Sequence, residues 1–201
     1  MAIIKYQYNK TSLNDLNRQL KVRVKALPTI KSKESALRAE VKKAKTEAEW
    51  LFAEMERQIT AYSNIAALWN EFEPSLIAVE DVELRTEKIA GVQIPVLENV
   101  IFREKPYSLF SSPFWFHDGI RLLKDLATIG IKSEVYYEKM RLLEHARKKT
   151  TQKVNLYEKV QIPGYNEAIR KIKRFMEDEE NLSKAAQKIV KTRQQQMEEV
   201  A

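Results

Sequence analysis

The sequence contains no cysteine, only four glycines and six prolines, and no long uninterrupted apolar run. Without cysteine, disulfides, thiolate metal sites and cysteine nucleophiles are excluded. The scarcity of glycine and proline argues against a loop-rich fold, because these residues supply many tight turns. A membrane-spanning helix needs about 20 predominantly apolar residues. We therefore expect a chain built mainly of regular structure, with no transmembrane helix.

Catalytic and cofactor-binding patterns are also lacking. The two histidines, His117 and His145, have no neighbouring residues spaced as metal ligands. The sequence has no glycine-rich phosphate loop, no G-x-S-x-G and no H-E-x-x-H. The acidic run from Glu177 to Glu180 is typical of a solvated surface rather than of a tuned acid–base pair. We expect a protein that is not itself an enzyme, with no catalytic residue, metal or cofactor.

The stretch from Ile30 to Phe72 carries a seven-residue repeat of apolar side chains. Helix-forming Lys, Arg, Glu and Gln fill much of the remainder, and no glycine or proline interrupts it. Such a repeat predicts a long helix that buries its stripe against a partner helix. One seam position is occupied by Ile30, Leu37, Ala44, Leu51, Ile65 and Phe72, and the other by Val41, Ala48, Met55, Tyr62 and Trp69.

The rest of the chain supplies that partner helix. We predict an N-terminal helix over residues 10–84, with Thr11 or Ser12 as N-cap and a kink or short break near 25–28 caused by Pro28. The alternative at Pro28 is two helices with an irregular joint. A second long helix over 118–197 has a kink near 162–164 and a stripe that ends with Leu182, Ala186 and Ile189. The fold class is therefore mainly α: the N- and C-terminal helices form a long antiparallel two-helix coiled coil in one elongated domain.

An insert over residues 85–117 separates the two helices. Gly91–Leu97 reads as a strand and Asn99–Phe102 as its hairpin mate, with a turn near Glu98-Asn99. The aromatic residues from Phe110 to Phe116 predict a small local core, and what stays exposed is a docking surface. The candidate docking residues of this insert are Gly91, Val92, Ile94, Pro95, Val96 and Phe102.

The net charge of +7 leaves several function classes open. Excess lysine on a solvated helical surface is one explanation, and contact with an acidic partner or nucleic acid is another. The chain could be a scaffold subunit of a larger machine, a basic coiled coil that binds an anionic membrane surface or nucleic acid, or a self-associating filament. The hairpin favours the first class, because a filament has little use for such an element.

Three collinear motifs resemble the D subunit of the V/A-type rotary ATPases, in particular its prokaryotic members. The first runs Lys10-Thr11-x-Leu13-x-x-Leu16-x-x-x-Leu20 and then Ile30-Lys31-Ser32-Lys33-x-x-Ala36-Leu37. The second is Gly91-Val92-Gln93-Ile94-Pro95-Val96. The third is Lys153-Val154-Asn155-Leu156-Tyr157-Glu158 followed by Ile162-Pro163, with Val154, Asn155, Glu158, Ile162 and Pro163 as its family-motif positions.

This resemblance implies a central-stalk rotor that couples ATP hydrolysis or synthesis to ion translocation. Its implied partners are the catalytic hexamer of A and B subunits, the F subunit and the funnel-shaped subunit (C/d) above the membrane ring. It also implies a place on the cytoplasmic side of the membrane in a peripheral complex, only indirect membrane contact and no nucleic acid. The candidate contacts with the hexamer are Lys10, Arg18, Lys21, Lys188, Lys191 and Arg193.

Overall fold

The computed structural model describes residues 4–62, 68–108 and 112–200. Its elements are helix α1 (Lys10–Ala61), a 3₁₀ turn (Pro74–Leu76), strands β1 (Ile77–Ile89) and β2 (Val92–Glu104), helix α2 (Phe116–Asn155), a π-helical turn (Leu156–Gln161) and helix α3 (Ile162–Val200). The predicted fold class is confirmed, since long N- and C-terminal helices flank a small antiparallel hairpin. The chain divides into a terminal unit (residues 1–32 and 150–201) and a central unit (residues 33–149).

Helix α1 begins at Lys10, and its N-cap is Asn9. The Asn9 Oδ1 atom accepts a hydrogen bond of 2.7 Å from the backbone N–H of Ser12, three residues later. Ser12 Oγ in turn accepts a hydrogen bond from the Gln7 N–H at 3.2 Å. The predicted cap at Thr11 or Ser12 is therefore wrong, because the short amide side chain of Asn9 already satisfies this helix end.

In the terminal unit, the start of α1 packs antiparallel against the start of α3. The Tyr165 hydroxyl donates to Gln19 Oε1 at 2.8 Å, and Lys31 Nζ lies 2.7 Å from Glu158 Oε1, so positions later in α1 meet positions earlier in the C-terminal segment. The shared core consists of Leu16, Tyr165, Ala168, Ile169 and Ile172, covered in part by Ile4 and Tyr6.

In the central unit, the later part of α1 packs against α2, and the turn end of the hairpin packs onto both helices. Leu37, Ala44 and Leu143 are buried together with Ile94 of β2, which is 1% exposed. These α1 residues are seam positions of the heptad pattern, so the repeat correctly identified the buried face. An isolated two-stranded hairpin is marginal in water, and burial of Ile94 attaches this one to the helices.

The hairpin turn lies at Ala90-Gly91, between the paired residues Ile89 and Val92. Both turn residues have positive φ, 49° for Ala90 and 78° for Gly91, which the right-handed twist of a hairpin favours. The predicted turn near Glu98-Asn99 is therefore wrong. The two predicted strands, Gly91–Leu97 and Asn99–Phe102, apart from Gly91 in the turn, belong to one strand, β2, whose mate is β1.

The N-terminal helix ends at Ala61 rather than at residue 84. Residues 77–84 belong to β1, where pairing with β2 supplies the backbone hydrogen bonds that a helix would otherwise provide. Phe72, a predicted seam residue, is instead buried against Leu76, Phe116 and Ile120 in an aromatic cluster. The predicted seam residue Ile65 and the aromatic Phe110 lie outside the described residues.

Two prolines lie within the helices. Pro28 stands inside α1, whose bounds run through it without a break; a kink there stays a prediction. Pro163 is the second residue of α3, one residue after the π-helical turn. A proline ring clashes with the carbonyl four residues earlier, and a widened turn of the backbone relieves that clash.

Candidate partner-binding surfaces

The described residues contain no group of three or more His, Asp or Glu side chains placed to hold a metal ion. His145 is exposed on α2, and His117 is exposed and lines a pocket together with Tyr107, Pro113 and Phe114. Among these residues no helix is long and apolar enough to cross a membrane.

The six candidate basic residues are all exposed in the terminal unit. Lys10, Arg18 and Lys21 lie on the part of α1 that packs against α3. Lys188 and its two companions, Lys191 and Arg193, lie near the other end of α3. The structure therefore places the two groups on different stretches of this unit, although each remains accessible to a partner.

The C-terminal half of α3 has no covering element among the described residues. Contacts of the N-terminal segment reach Phe175 and Met176, where the Tyr8 and Phe175 rings lie 4.8 Å apart. From Glu177 to Met197 every residue is exposed, and Leu182 retains 72% of its surface. The predicted stripe residues Leu182, Ala186 and Ile189 are among them, so α1 does not bury this part of the stripe. Val190 and Met197 are further exposed apolar side chains on this stretch.

The hairpin residues predicted to dock do not share one exposed face. Ile94 and Val92 pack onto α1 and α2, Gly91 forms the turn, and Pro95, Val96 and Phe102 are half-buried. The exposed large apolar side chains of the hairpin are Val79 (44%) and Leu84 (52%), both on β1. Sequence reasoning missed them because it assigned this stretch to a helix. No alternation of apolar and polar residues marked its start, because Ile77, Ala78 and Val79 are all apolar.

The family-motif positions surround the π-helical turn. Val154 and Asn155 end α2, Glu158 lies within the turn, and Ile162 and Pro163 begin α3. Two side chains of α1 hold this turn: Lys31 through its ion pair with Glu158, and Arg23, whose Nε donates to Gln161 Oε1 at 2.6 Å. The Arg23 guanidinium also lies 4.6 Å from the Tyr165 ring centroid, which allows a cation to occupy the apolar seam.

A charged network interrupts the seam of the central unit. Arg147 of α2 donates two hydrogen bonds to Glu144, Nε to Oε2 at 2.7 Å and Nη2 to Oε1 at 2.6 Å. Its Nη1 atom lies 3.9 Å from Glu34 Oε1 on α1, and Glu34 also accepts a bond of 2.8 Å from Arg38. Partly buried ionic groups at a seam help to specify which residues face each other.

We predict that this network makes stability depend on pH. The hydrogen bond from Arg147 is the main cause that holds the pKa of Glu144 below its ordinary value, despite partial desolvation. A carboxylate whose pKa is depressed on folding stabilises the fold above its unfolded pKa, about 4.3 for glutamate, and loses that contribution as the pH falls through the folded pKa.

Thermal or urea unfolding of the native chain and of Glu144→Gln should therefore differ most at neutral pH. The difference should shrink as the pH falls through the lowered pKa of Glu144. Comparison within this pair cancels the other carboxylates with lowered pKa values, Glu167 and Glu180, which pair with Lys171 and Lys184. A difference that stayed constant from neutral to acidic pH would contradict the assignment.

Charge is distributed unevenly along the chain. Residues 1–32 and 150–201 contain 17 Lys and Arg against 9 Asp and Glu, whereas residues 33–149 contain 18 against 19. The terminal unit therefore carries a net +8 and the central unit a net −1. Within the central unit, residues 71–104 have eight acidic and three basic side chains, a net −5. Different partners are expected for a basic surface and an acidic one.

Comparisons with known proteins cover nearly the whole chain. The family model described as the ATP synthase D subunit matches residues 12–192. A protein of Borreliella burgdorferi, named as the D subunit of a V-type ATP synthase, is 30% identical over 188 residues, which is 91% of this chain and 93% of that protein. Proteins of the same name from Chlamydia abortus and Chlamydia caviae are 30% and 31% identical over 178 residues, 86% of each chain.

Proposed function

The chain belongs to the ATP synthase D-subunit family, and from this membership we propose that it is the central-stalk rotor of a V-type rotary ATPase. In this role it is not itself catalytic. It transmits rotation between a ring of A and B subunits, where ATP is hydrolysed or made, and the ion-translocating ring in the membrane. The F subunit and the funnel-shaped C/d subunit are its further partners, on the cytoplasmic side.

The observation that carries this proposal is the uncovered C-terminal half of α3. A helix with an apolar stripe and basic residues, exposed over more than twenty positions, needs an external surface to bury that stripe. The hollow centre of a catalytic ring supplies such a surface on all sides. Acidic loops of the ring would suit the basic side chains of Lys188, Lys191 and Arg193. The net +8 of the terminal unit would attract an acidic ring from a distance.

The pairing of α1 with the C-terminal helices suits the transmission of torque. Two helices joined by an apolar seam and by ionic contacts across it resist twisting more than a single helix does. The network of Glu34 with Arg147 in the central unit and the ion pair of Lys31 with Glu158 in the terminal unit are such contacts. A rotor needs stiffness and asymmetric contacts, and it requires no active site of its own.

We predict that the purified chain, mixed with its cognate A, B and F subunits, co-elutes in size exclusion as one copy per ring. ATP turnover of the ring should change when the chain joins it. The ring without the chain is the control for turnover, and the chain without the ring is the control for elution. Separate elution of chain and ring, with turnover unaltered, would refute the rotor function.

A second function is supported by the net +8 of the terminal unit. A basic coiled coil of this kind could bind an anionic membrane surface or nucleic acid through its phosphates. In that case the chain should ignore the ring, but bind vesicles of anionic lipid or duplex DNA with an affinity that falls steeply as salt is raised. Ring assembly and salt-sensitive binding to phosphate surfaces thus distinguish the two functions.

A further inference from the structure

The π-helical turn lies where the spacing of the seam residues changes. Before it, the partly buried Thr150 and Tyr157 are seven residues apart, and after it the buried Tyr165 and Ile172 are seven residues apart, as a heptad seam requires. Across the turn, however, Tyr157 and Tyr165 are eight residues apart. The turn therefore holds one residue more than a continuous α-helix with the same seam would contain.

The wider turn accommodates this surplus residue. Each residue of an α-helix turns the chain by about 100°, so a continuous α-helix of this length would rotate Tyr165 and Ile172 away from α1 by that angle. In the π-helical turn, the backbone N–H of Ile162 donates to the carbonyl of Tyr157, five residues earlier instead of four. The next residue, Pro163, has no N–H to donate. The regular hydrogen-bond ladder of the helix is therefore interrupted at this level.

Helix α1 carries its own interruption opposite the turn. Pro28 has no N–H, so the carbonyl four residues earlier has no donor within the helix. Arg23, before this proline, donates to Gln161 of the turn, and Lys31, after it, pairs with Glu158 of the turn. Pro28 thus lies between the two residues of α1 that contact the turn, and both helices have a weak point at the same level.

Apolar burial is also sparse at this level. None of the six described residues of the turn is buried, whereas Tyr165, Ile169 and Ile172 beyond it are. The ion pair of Lys31 with Glu158 leaves 47% and 45% of the two side chains exposed, and exposed pairs of this kind contribute little to stability. Interrupted hydrogen bonds and few buried contacts are typical of segments that open locally while the rest of a protein stays folded.

We propose that the π-helical turn and Pro28 together form a joint in the helix pair of the terminal unit. At this joint both helices open and close locally, so that the pair twists there while the core around Ile172 stays packed. The inference goes beyond the proposed function, because it concerns the isolated chain and requires no partner. In a rotor, such a joint confines twisting under load to one level, and the packed core keeps its stiffness.

The test uses a straightened variant of the full chain, in which Lys159 is deleted and Pro163→Ala and Pro28→Ala are introduced. The deletion restores the spacing of seven residues between Tyr157 and Tyr165, and the two alanines restore the missing N–H donors. Lys159 is exposed, so its removal takes no side chain from the core. The variant keeps the seam and removes the three features that define the joint.

Amide hydrogen exchange, measured by mass spectrometry of peptides from the full chain, reports local opening. In the native chain, residues 22–31 and 155–162 should be protected about tenfold or more less than residues 165–173 of the core. In the straightened variant this difference in protection should shrink to about threefold or less. Equal protection of turn and core in the native chain would overturn the proposal, as would a difference that persists in the straightened variant.

Deletion of Arg170 in the same Pro→Ala background is the matched control. Arg170 is also exposed, but its removal leaves Tyr165 and Ile172 six residues apart, so that both cannot face α1. This deletion should lower the Tm by about 5 °C or more, whereas deletion of Lys159 should leave it at or above the native value. An equal loss of Tm from both deletions would show that the turn holds no surplus residue and would overturn the proposal.

The joint and the rotor function can fail independently. Hydrogen exchange and Tm are measured on the isolated chain, and they decide the joint alone. Co-elution with the catalytic ring decides the rotor function alone. A chain that joins the ring but shows equal protection of turn and core is a rotor without a joint at this level.

Discussion

Reversal of three charges near the end of α3, Lys188→Glu, Lys191→Glu and Arg193→Glu together, is expected to abolish co-elution with the catalytic ring at physiological salt. All three side chains are exposed, so the fold should tolerate the change. Replacing three attractive contacts with three repulsive ones changes the binding free energy by several kcal/mol where like charges face each other. Size exclusion of ring and variant, with ATP turnover measured in the pooled fractions, gives the result.

The control for this variant reverses the same number of charges elsewhere on α3. Arg170→Glu, Lys173→Glu and Arg174→Glu lie on the part of the helix that packs beside α1, and all three residues are exposed. If the ring surrounds the uncovered half of α3, the control should keep co-eluting. Loss of assembly in both variants to the same degree would mean that net charge alone, and not this stretch of helix, mediates the contact.

Truncation of Leu143 to alanine is expected to lower the free energy of unfolding by about 2–5 kcal/mol, the range for a fully buried leucine. Leu143 is 0% exposed and packs with Leu37, Ala44 and Ile94, so its loss leaves a cavity where α1, α2 and the hairpin meet. Urea unfolding followed by circular dichroism measures the change. Hydrogen exchange should also rise in β2, because Ile94 loses part of its anchor.

Leu182→Ala is the matched control, because it removes the same atoms from an uncovered position of α3. Leu182 is already 72% exposed, so the isolated chain should lose no more than about 0.5 kcal/mol. In co-elution with the ring the order should be reversed. Leu182→Ala should weaken assembly more than Leu143→Ala, because the proposed function buries Leu182 against the ring. A large loss of stability from Leu182→Ala in the isolated chain would show that α3 has an internal partner at this position.

Prediction from sequence was strongest where the signal is local and repeated. The heptad positions Leu37, Ala44 and Leu51 are buried in the structure. The seven-residue repeat places their side chains on one face of the helix, and that face is the one that packs against other elements. The three motifs of the resemblance led to the family that the comparisons show. The six basic candidates are all exposed, as charged side chains usually are, and their contact with a ring stays a prediction.

Prediction from sequence failed where distant residues compete for the same partner. Nothing local to residues 77–84 decides between helix and strand, and the choice is made by β2, which supplies the ladder and presents Ile94 to the helices. The same pairing decides the position of the turn. Ile89 pairs with Val92, so Ala90 and Gly91 are the two residues that connect the strands.

The amino-acid sequence by itself determined that this protein is a long-helix chain with a buried stripe and a basic excess, because periodicity and composition are properties of the chain alone. Only the tertiary structure decided how much of the stripe is covered. Burial requires a second surface at the right place, and α1 begins at Lys10, too late to cover α3 beyond Met176. The surface proposed for a partner is therefore the one that the fold does not bury, the exposed part of α3 after Met176.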